Sequence, residues 1–175
     1  FFFKQKTAYE IPKRDWSSDV CSSDLKGQKI LVVVPTTSLV EQMVGDFRDY
    51  GWDADSYCHK IYSGREKTNE HPVTVTTWQS IYKLEKKFFE EYNVVIGDEA
   101  HLFKSKSLIT IMSHLHHAKY RFGFTGTLDG TQTHKWVLEG LFGPSYKVTR
   151  TAELMEQGHV SKLDIKCLVL KHPPQ

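Results

Sequence analysis

The sequence predicts an α/β fold with a largely parallel sheet flanked by helices. Short apolar runs alternate with amphipathic stretches along the chain, and Ile30–Val34 is the clearest such run. A continuous, β-branched run of this kind is typical of a strand buried on both faces of a parallel sheet. The composition of the 175 residues, 39% hydrophobic and 25% charged, agrees with a globular domain.

The first strand is predicted to end at Pro35, and a helix follows it. Apolar residues then recur at helical spacing over 39–47, and Gly51 marks the end of that helix. A second strand is predicted at Val73–Thr77, with a single helical pattern running on through Ile81 to Phe88. The polar segment 62–72 between them is predicted to be an exposed loop.

The same alternation continues to the end of the chain. Strands are predicted at 94–96, 121–124, 146–148 and 165–170, and helices at 107–117, 133–141 and 152–157. Strand–helix alternation of this length favours parallel connections, and ligands of such sheets bind beyond the carboxyl ends of the strands. Four polar clusters lie at the carboxyl ends of four of the predicted strands: Pro35-Thr36-Thr37, Thr76-Thr77-Trp78-Gln79, Asp98-Glu99-Ala100-His101 and Thr125-Gly126-Thr127.

The pair Asp98-Glu99 carries the strongest chemical indication. Two adjacent carboxylates at the end of a buried strand suit nucleotide hydrolysis, in which one acid holds Mg²⁺ and the other orients or deprotonates the attacking water. The alternative interpretation is that both acids only cap the segment that follows. Trp78 has two interpretations as well, a stacking platform for a base or a core residue at the start of a helix.

Other features of the sequence argue against several classes of protein. The aliphatic run Ile30–Val34 is too short to span a membrane. The net charge of +2 does not by itself predict nucleic-acid binding. The three cysteines leave an odd thiol and no CxxC spacing, which favours a reducing compartment over a disulfide scaffold. The histidines at 114, 116 and 117 lack further ligands in sequence and are interpreted as solvated.

The blocks VPTTSLVEQM (34–43), VTTWQS (75–80), VVIGDEAH (94–101) and GFTGT (123–127) resemble, in this order, the first motor domain of superfamily-two DExH-box helicases. The resemblance covers nearly all of residues 26–175 and is strongest to the UvsW-type phage group. It implies a RecA-like P-loop NTPase fold and a cytoplasmic enzyme that uses ATP and Mg²⁺ to move on or remodel branched DNA.

The resemblance also implies roles for individual residues. Asp98 would hold Mg²⁺ through water, Glu99 would be the general base, and His101 would link the nucleotide site to a second motor domain. The group Thr125, Gly126 and Thr127 would couple hydrolysis to DNA binding. Contacts with the backbone of single-stranded or branched DNA would come from Pro35, Thr36, Thr37, Thr76, Thr77, Trp78 and Gln79.

The phosphate-binding loop of this family does not occur in the sequence. No GxxxxGK[ST] pattern is present, and no glycine is followed by lysine. We therefore expect residues 26–175 to be a partial ATP-binding domain, inactive by itself, whose parent protein carries the loop upstream. The alternatives are a fragment of the motor subunit of a restriction system, and a nucleic-acid-binding module that does not hydrolyse ATP.

Residues 1–25 follow neither a helical nor a strand period, and they resemble a translated sequencing adapter. The segments KQKTAYE (4–10) and DWSSDVCSSDL (15–25) match the translation of the adapter's two constant parts, separated by an index. The division predicted for the chain is therefore a non-native segment, 1–25, and a partial helicase domain, 26–175.

This division predicts the gene sequence at the junction. The DNA that encodes residues 1–25 should contain the adapter bases in frame, and an independent genomic clone should place a different sequence before Lys26. A genomic clone that encodes all 25 residues contiguously with Lys26 would contradict the division.

Overall fold

The computed structural model describes residues 2–5, 27–62, 70–126, 128 and 131–147. Within them, seven strands form one sheet in the order β3-β4-β2-β5-β6-β1-β7. The five strands from β3 to β6 in this order are parallel, and β1 pairs antiparallel with β6 and β7. The strands are β1 Phe2–Gln5, β2 Ile30–Val34, β3 Cys58–Ile61, β4 Val73–Thr77, β5 Val94–Gly97, β6 Tyr120–Phe124 and β7 Ser145–Tyr146.

Helices cover both faces of the sheet, so the predicted α/β class is confirmed. Alternate residues of β2 enter two separate cores: Val32 and Val34 face a core that includes α1, whereas Leu31 and Val33 face the core of α5 and α6. This alternation is the period-two geometry of a strand. The helices are α1 Thr37–Asp49, α2 Ala54–Tyr57, α3 Trp78–Ile81, α4 Lys86–Glu90, the 3₁₀ helix η1 Ala100–Lys104, α5 Lys106–His114 and α6 Gln132–Phe142.

The chain turns from β2 into α1 at a defined N-cap. The Thr36 side chain accepts a hydrogen bond from the backbone N–H of Leu39, at 3.3 Å, and so satisfies one of the free amides of the first turn. Gly51, with φ of 83°, lies just beyond the helix in the left-handed region that favours glycine. The end of α1 therefore agrees with the sequence prediction, in which Gly51 marks it.

The structure corrects the prediction in three places. The single helix predicted between the second and third strands is instead two short helices, α3 and α4, because Glu85 has an extended backbone and starts a new helix. The short elements α2 and β3 were not predicted, since Cys58–Ile61 is an edge strand without clear alternation. Helix α5 ends at His114 rather than at residue 117.

Several predictions lie wholly or partly outside the described residues. The predicted helix at 152–157 and strand at 165–170 lie outside them, as do Thr127 and most of the predicted loop. The last described strand is Ser145–Tyr146, which overlaps the predicted strand at 146–148. The predicted division of the chain at residue 25 stays a prediction, and Phe2–Gln5 pairs in the sheet as β1.

Two glycines permit phenylalanine rings to pack closely against the sheet beside the Asp98-Glu99 pair. Gly97 and Gly123 are register partners on β5 and β6. A Cβ at Gly97 would lie 2.7 Å from the Phe103 ring, and a Cβ at Gly123 would lie 3.1 Å from the Phe142 ring. The two phenylalanine rings are themselves in edge contact, with centroids 5.0 Å apart. The missing side chains therefore let η1 and α6 approach the ends of these strands.

The substitution Gly97→Ala should lower the free energy of unfolding by about 1–3 kcal/mol, because the added methyl overpacks a closed site. The matched control is Gly140→Ala in α6, where a Cβ would meet nothing within 4 Å. That change should be neutral or stabilising by up to ~1 kcal/mol, since alanine is the better helix former. Urea unfolding followed by tryptophan fluorescence measures both, and equal effects would contradict the close-approach interpretation.

Candidate functional site

The parallel register brings four predicted polar clusters to one edge of the sheet. Val33 is paired with Thr76 of β4 and with Gly97 of β5, and Gly97 is paired with Gly123 of β6. The residues that follow these positions therefore leave the sheet side by side. The described members of the clusters are residues 35–37, 76–79, 98–101 and 125–126, and all of them lie at or just beyond the carboxyl ends of strands.

Asp98 and Glu99 form the turn between β5 and η1. The Asp98 N–H donates to the Val33 carbonyl at 3.0 Å, which extends the β2–β5 ladder by one step. Glu99 has φ of 50° and ψ of 51° and is the sole non-glycine residue with positive φ in the described part of the chain. A non-glycine residue held in this left-handed conformation lowers the stability of the fold by about 1–3 kcal/mol, and such residues concentrate at functional sites. The turn leaves both carboxylates partly exposed at the sheet edge.

His101 connects the ends of β5 and β6. Its Nδ1 atom lies 2.9 Å from the Thr125 hydroxyl oxygen and 3.2 Å from a carboxylate oxygen of Glu99. Nδ1 can donate to the carboxylate when it is protonated and can accept from the hydroxyl when it is not. Because Thr125 is buried, its hydroxyl has little access to water as an alternative partner. One imidazole nitrogen therefore lies within hydrogen-bond distance of both the acidic turn and the start of the predicted coupling segment.

The two clusters predicted to contact nucleic acid are joined to each other. The Gln79 side-chain amide donates to the Pro35 carbonyl at 3.2 Å. Thr36, Thr37 and Gln79 are exposed at this edge. Together they form a polar surface beside the acidic turn.

The threonines that precede Gln79 point into the protein instead. Thr76 is fully buried, and its hydroxyl donates to the Ile61 carbonyl at 2.8 Å. Thr77 is buried as well, and its hydroxyl lies 2.9 Å from that of Ser80. Both hydroxyls have partners inside the protein. The exposed polar side chain of this cluster is that of Gln79.

Trp78 belongs with the core rather than with an open stacking surface. It is partly buried, packs against the larger core cluster and meets the Tyr82 ring edge-on at 6.0 Å. It also lines a shallow depression with Pro35, Asp98 and Leu102. Small-molecule sites usually enclose ~300–1,000 Å³, whereas this depression encloses essentially no space.

Two further ionisable groups have structural roles. Burial raises the pKa of the Cys58 thiol to about 11, so the thiol is neutral near pH 7 and a poor nucleophile. Burial lowers the pKa of Arg121, whose guanidinium donates to the carbonyls of Leu115 at 2.9 Å and Ala118 at 3.3 Å. Arg121 thereby ties the segment that follows α5 to β6.

Sequence reasoning missed the supporting residues of the site. Gly97 and Gly123 stand at the buried ends of two strands, where a glycine signals close approach of another chain segment. The contact between Lys104 Nζ and His134 Nδ1, at 3.2 Å, joins residues 30 positions apart. No local pattern in the sequence indicates that pair.

The family model described as type III restriction enzyme, res subunit, matches residues 18–130, which is more than half of the chain. The chain belongs to this family of superfamily-two helicases. Among curated proteins it is similar to the ATP-dependent DNA helicase uvsW of Enterobacteria phage T4, with 36% identity over 151 residues. That match covers 84% of this chain and 30% of the phage protein, so the chain spans about a third of its relative.

Solved structures give the same relationship. The crystal structure of the UvsW helicase from bacteriophage T4 matches with a TM-score of 0.60 and 37% identity, over 70% of this chain and 45% of that one. The Hef helicase domain of Pyrococcus furiosus matches with a TM-score of 0.57 and 21% identity, over 69% of this chain and 28% of that one. The second match supports the fold alone. No helix in the described ranges has the length and apolar character needed to cross a membrane.

The contact between His101 Nδ1 and the Thr125 hydroxyl, called the His101 bridge below, predicts a measurable effect on stability. Thr125→Val removes the hydroxyl and keeps the side-chain shape, so it should lower the free energy of unfolding by about 1 kcal/mol. Thr125→Ser should restore most of that loss. Thr131→Val is the matched control, since Thr131 is exposed and makes no capping hydrogen bond. Chemical unfolding of the three variants tests this, and equal stabilities of the two valine variants would contradict the bridge.

Proposed function

We propose that this chain carries the hydrolysis and coupling residues of an ATP-dependent DNA helicase or translocase. The observation that carries the proposal is the contact of one His101 nitrogen with both Glu99 and Thr125 at the carboxyl edge of the sheet. An acidic turn that is linked directly to the next strand suits a motor, in which a change at bound nucleotide has to reach the nucleic acid. The phage T4 relative is described as an ATP-dependent DNA helicase.

The residues present fit Mg²⁺ bound together with ATP. In the described part of the chain, no three His, Cys, Asp or Glu side chains come together as a complete metal cage. Mg²⁺ commonly binds through one or two carboxylates, with waters and substrate phosphates completing its shell. Asp98 would hold the ion through water, and the ion when bound would offset the negative charge of the phosphates.

Glu99 is the general base of the proposal. It is partly exposed beside Asp98, where its carboxylate can accept a proton from the attacking water. An Nδ1–H of His101 would orient that carboxylate by donating to it. His101 would thereby report the state of Glu99 to Thr125, and Gly126 and Thr127 would continue the coupling segment toward the DNA.

DNA would bind along the exposed polar surface at the same edge. Thr36 and Thr37 lie at the start of α1, where hydroxyls and backbone amides can contact phosphates without reading sequence. Gln79 extends this surface and is fixed to Pro35 by its hydrogen bond. We further propose that the parent protein contains a second motor domain and acts on branched DNA. We propose the cytoplasm as its location.

The sequence 26–175 should not turn over ATP by itself. It contains no GxxxxGK[ST] loop to hold the phosphates. We therefore assign the activity to a longer parent protein.

A second candidate is the motor subunit of a restriction system. The description of the matching family model, type III restriction enzyme, res subunit, favours it. Both candidates share the chemistry at Asp98 and Glu99. They differ in whether DNA cleavage accompanies translocation, which an assay of the parent protein on circular DNA distinguishes.

The substitution Glu99→Gln in the parent protein should lower ATP turnover by at least ~100-fold, because it removes the general base. Affinity for Mg-ATP should be retained, since the glutamine side chain keeps the size of the original. Glu139→Gln in α6 is the matched control and should keep wild-type turnover. Steady-state hydrolysis and nucleotide-binding assays measure this; wild-type turnover in Glu99→Gln, or measurable turnover by residues 26–175 alone, would contradict the proposal.

A further inference from the structure

The 3₁₀ helix η1 is attached to the unit formed by β6 and α6 at three places. The first contact is a hydrogen bond at the start of η1, the second is an edge contact of two rings, and the third is a hydrogen bond at the last residue of η1. In order along η1 they are His101 with Thr125, Phe103 with Phe142, and Lys104 with His134.

The third contact has a defined chemistry. Lys104 Nζ lies 3.2 Å from His134 Nδ1. An ammonium group has hydrogens to donate and no lone pair, so His134 Nδ1 must be the acceptor and its proton must lie on Nε2. Both side chains are partly buried, which reduces the competition from water. The contact joins the end of η1 to the first turn of α6.

The 3₁₀ helix needs external contacts to keep its place. It is five residues long, and its backbone hydrogen bonds include that from the Leu102 N–H to the Glu99 carbonyl at 2.9 Å. Short 3₁₀ helices have poorer hydrogen-bond geometry than α-helices. The position of His101 therefore depends on how the far end of η1 is attached.

We infer that Lys104 and His134 are positioning residues that fix the end of η1 on α6 and thereby keep His101 aligned between Glu99 and Thr125. Their contact lies at the opposite end of η1 from the acidic turn, so their effect acts through His101. The inference rests on the proposed function, because it assigns the pair to the coupling of ATP hydrolysis to DNA. It adds two residues that lie outside the four polar clusters.

The test uses the full-length parent protein and compares ATP turnover with and without single-stranded DNA. Lys104→Met and His134→Leu should each lower the stimulation by DNA about three- to tenfold, as expected for loss of one partly exposed, charge-assisted hydrogen bond. Lys104→Arg and His134→Asn keep a donor and an acceptor at these positions, and they should restore most of the stimulation. The double variant Lys104→Met/His134→Leu should be no worse than either single variant, because both remove the same contact.

The matched control is Lys135→Met. Lys135 neighbours His134 but pairs within α6, with Glu139 at 3.7 Å, so its loss should leave the stimulation unchanged. The inference is overturned if Lys104→Met behaves like Lys135→Met, or if the effects of Lys104→Met and His134→Leu add in the double variant.

A second readout separates this inference from the proposed function. Amide hydrogen exchange over residues 99–105 of the same protein should be faster in Lys104→Met and His134→Leu than in wild type and Lys135→Met. Wild-type protein without DNA-stimulated turnover would mean that the proposed function is wrong. In that case the exchange data decide the positioning role alone, and unchanged exchange over 99–105 would overturn it.

Discussion

The absence of a side chain at Gly97 and Gly123 is the constraint on which the candidate site depends. The two glycines lie beside each other at the ends of β5 and β6, and Phe103 and Phe142 occupy the space that their side chains would fill. This close packing draws η1 down onto the sheet directly after the acidic turn. That placement brings His101 Nδ1 within 2.9 Å of the hydroxyl of Thr125, which follows the neighbouring strand β6. The geometry of the candidate site is thus set by a steric feature of the core.

The local conformation of Glu99 is the second consequence of this arrangement. A strand that ends on a packed glycine and continues at once into a 3₁₀ helix has to turn within about two residues. Glu99 makes that turn in the left-handed region, at a cost of about 1–3 kcal/mol that the surrounding packing has to offset. Phe103, fully enclosed between Gly97 and Phe142, provides such packing. Strain at the acidic residue and dense packing behind it are therefore two parts of the same structure.

The sequence predicts most of the architecture because periodicity is a local property. The strand at Val73–Thr77 agrees with the structure residue for residue, and α6 differs from its prediction by one residue at each end. The four polar clusters could be assigned to one edge from their positions in the chain, since parallel strands align their carboxyl ends. Prediction was wrong for the helix after β4, where Glu85 interrupts the helical period and starts a second helix. Tertiary packing commonly overrides weak local preferences in this way.

Within the site, contacts between individual side chains were predictable only where the residues are adjacent in sequence. The acids at Asp98 and Glu99 follow directly from the strand before them, but the burial of Thr76 depends on the edge strand β3, which has no clear pattern. The contact between Lys104 and His134 depends on the distance between η1 and α6 and on the tautomer of the His134 imidazole. Neither can be read from the sequence. Residues that support a site are therefore harder to find from the sequence than residues proposed for its chemistry. The residues proposed for chemistry lie next to one another in the sequence, whereas supporting residues such as Lys104 and His134 meet only in the folded chain.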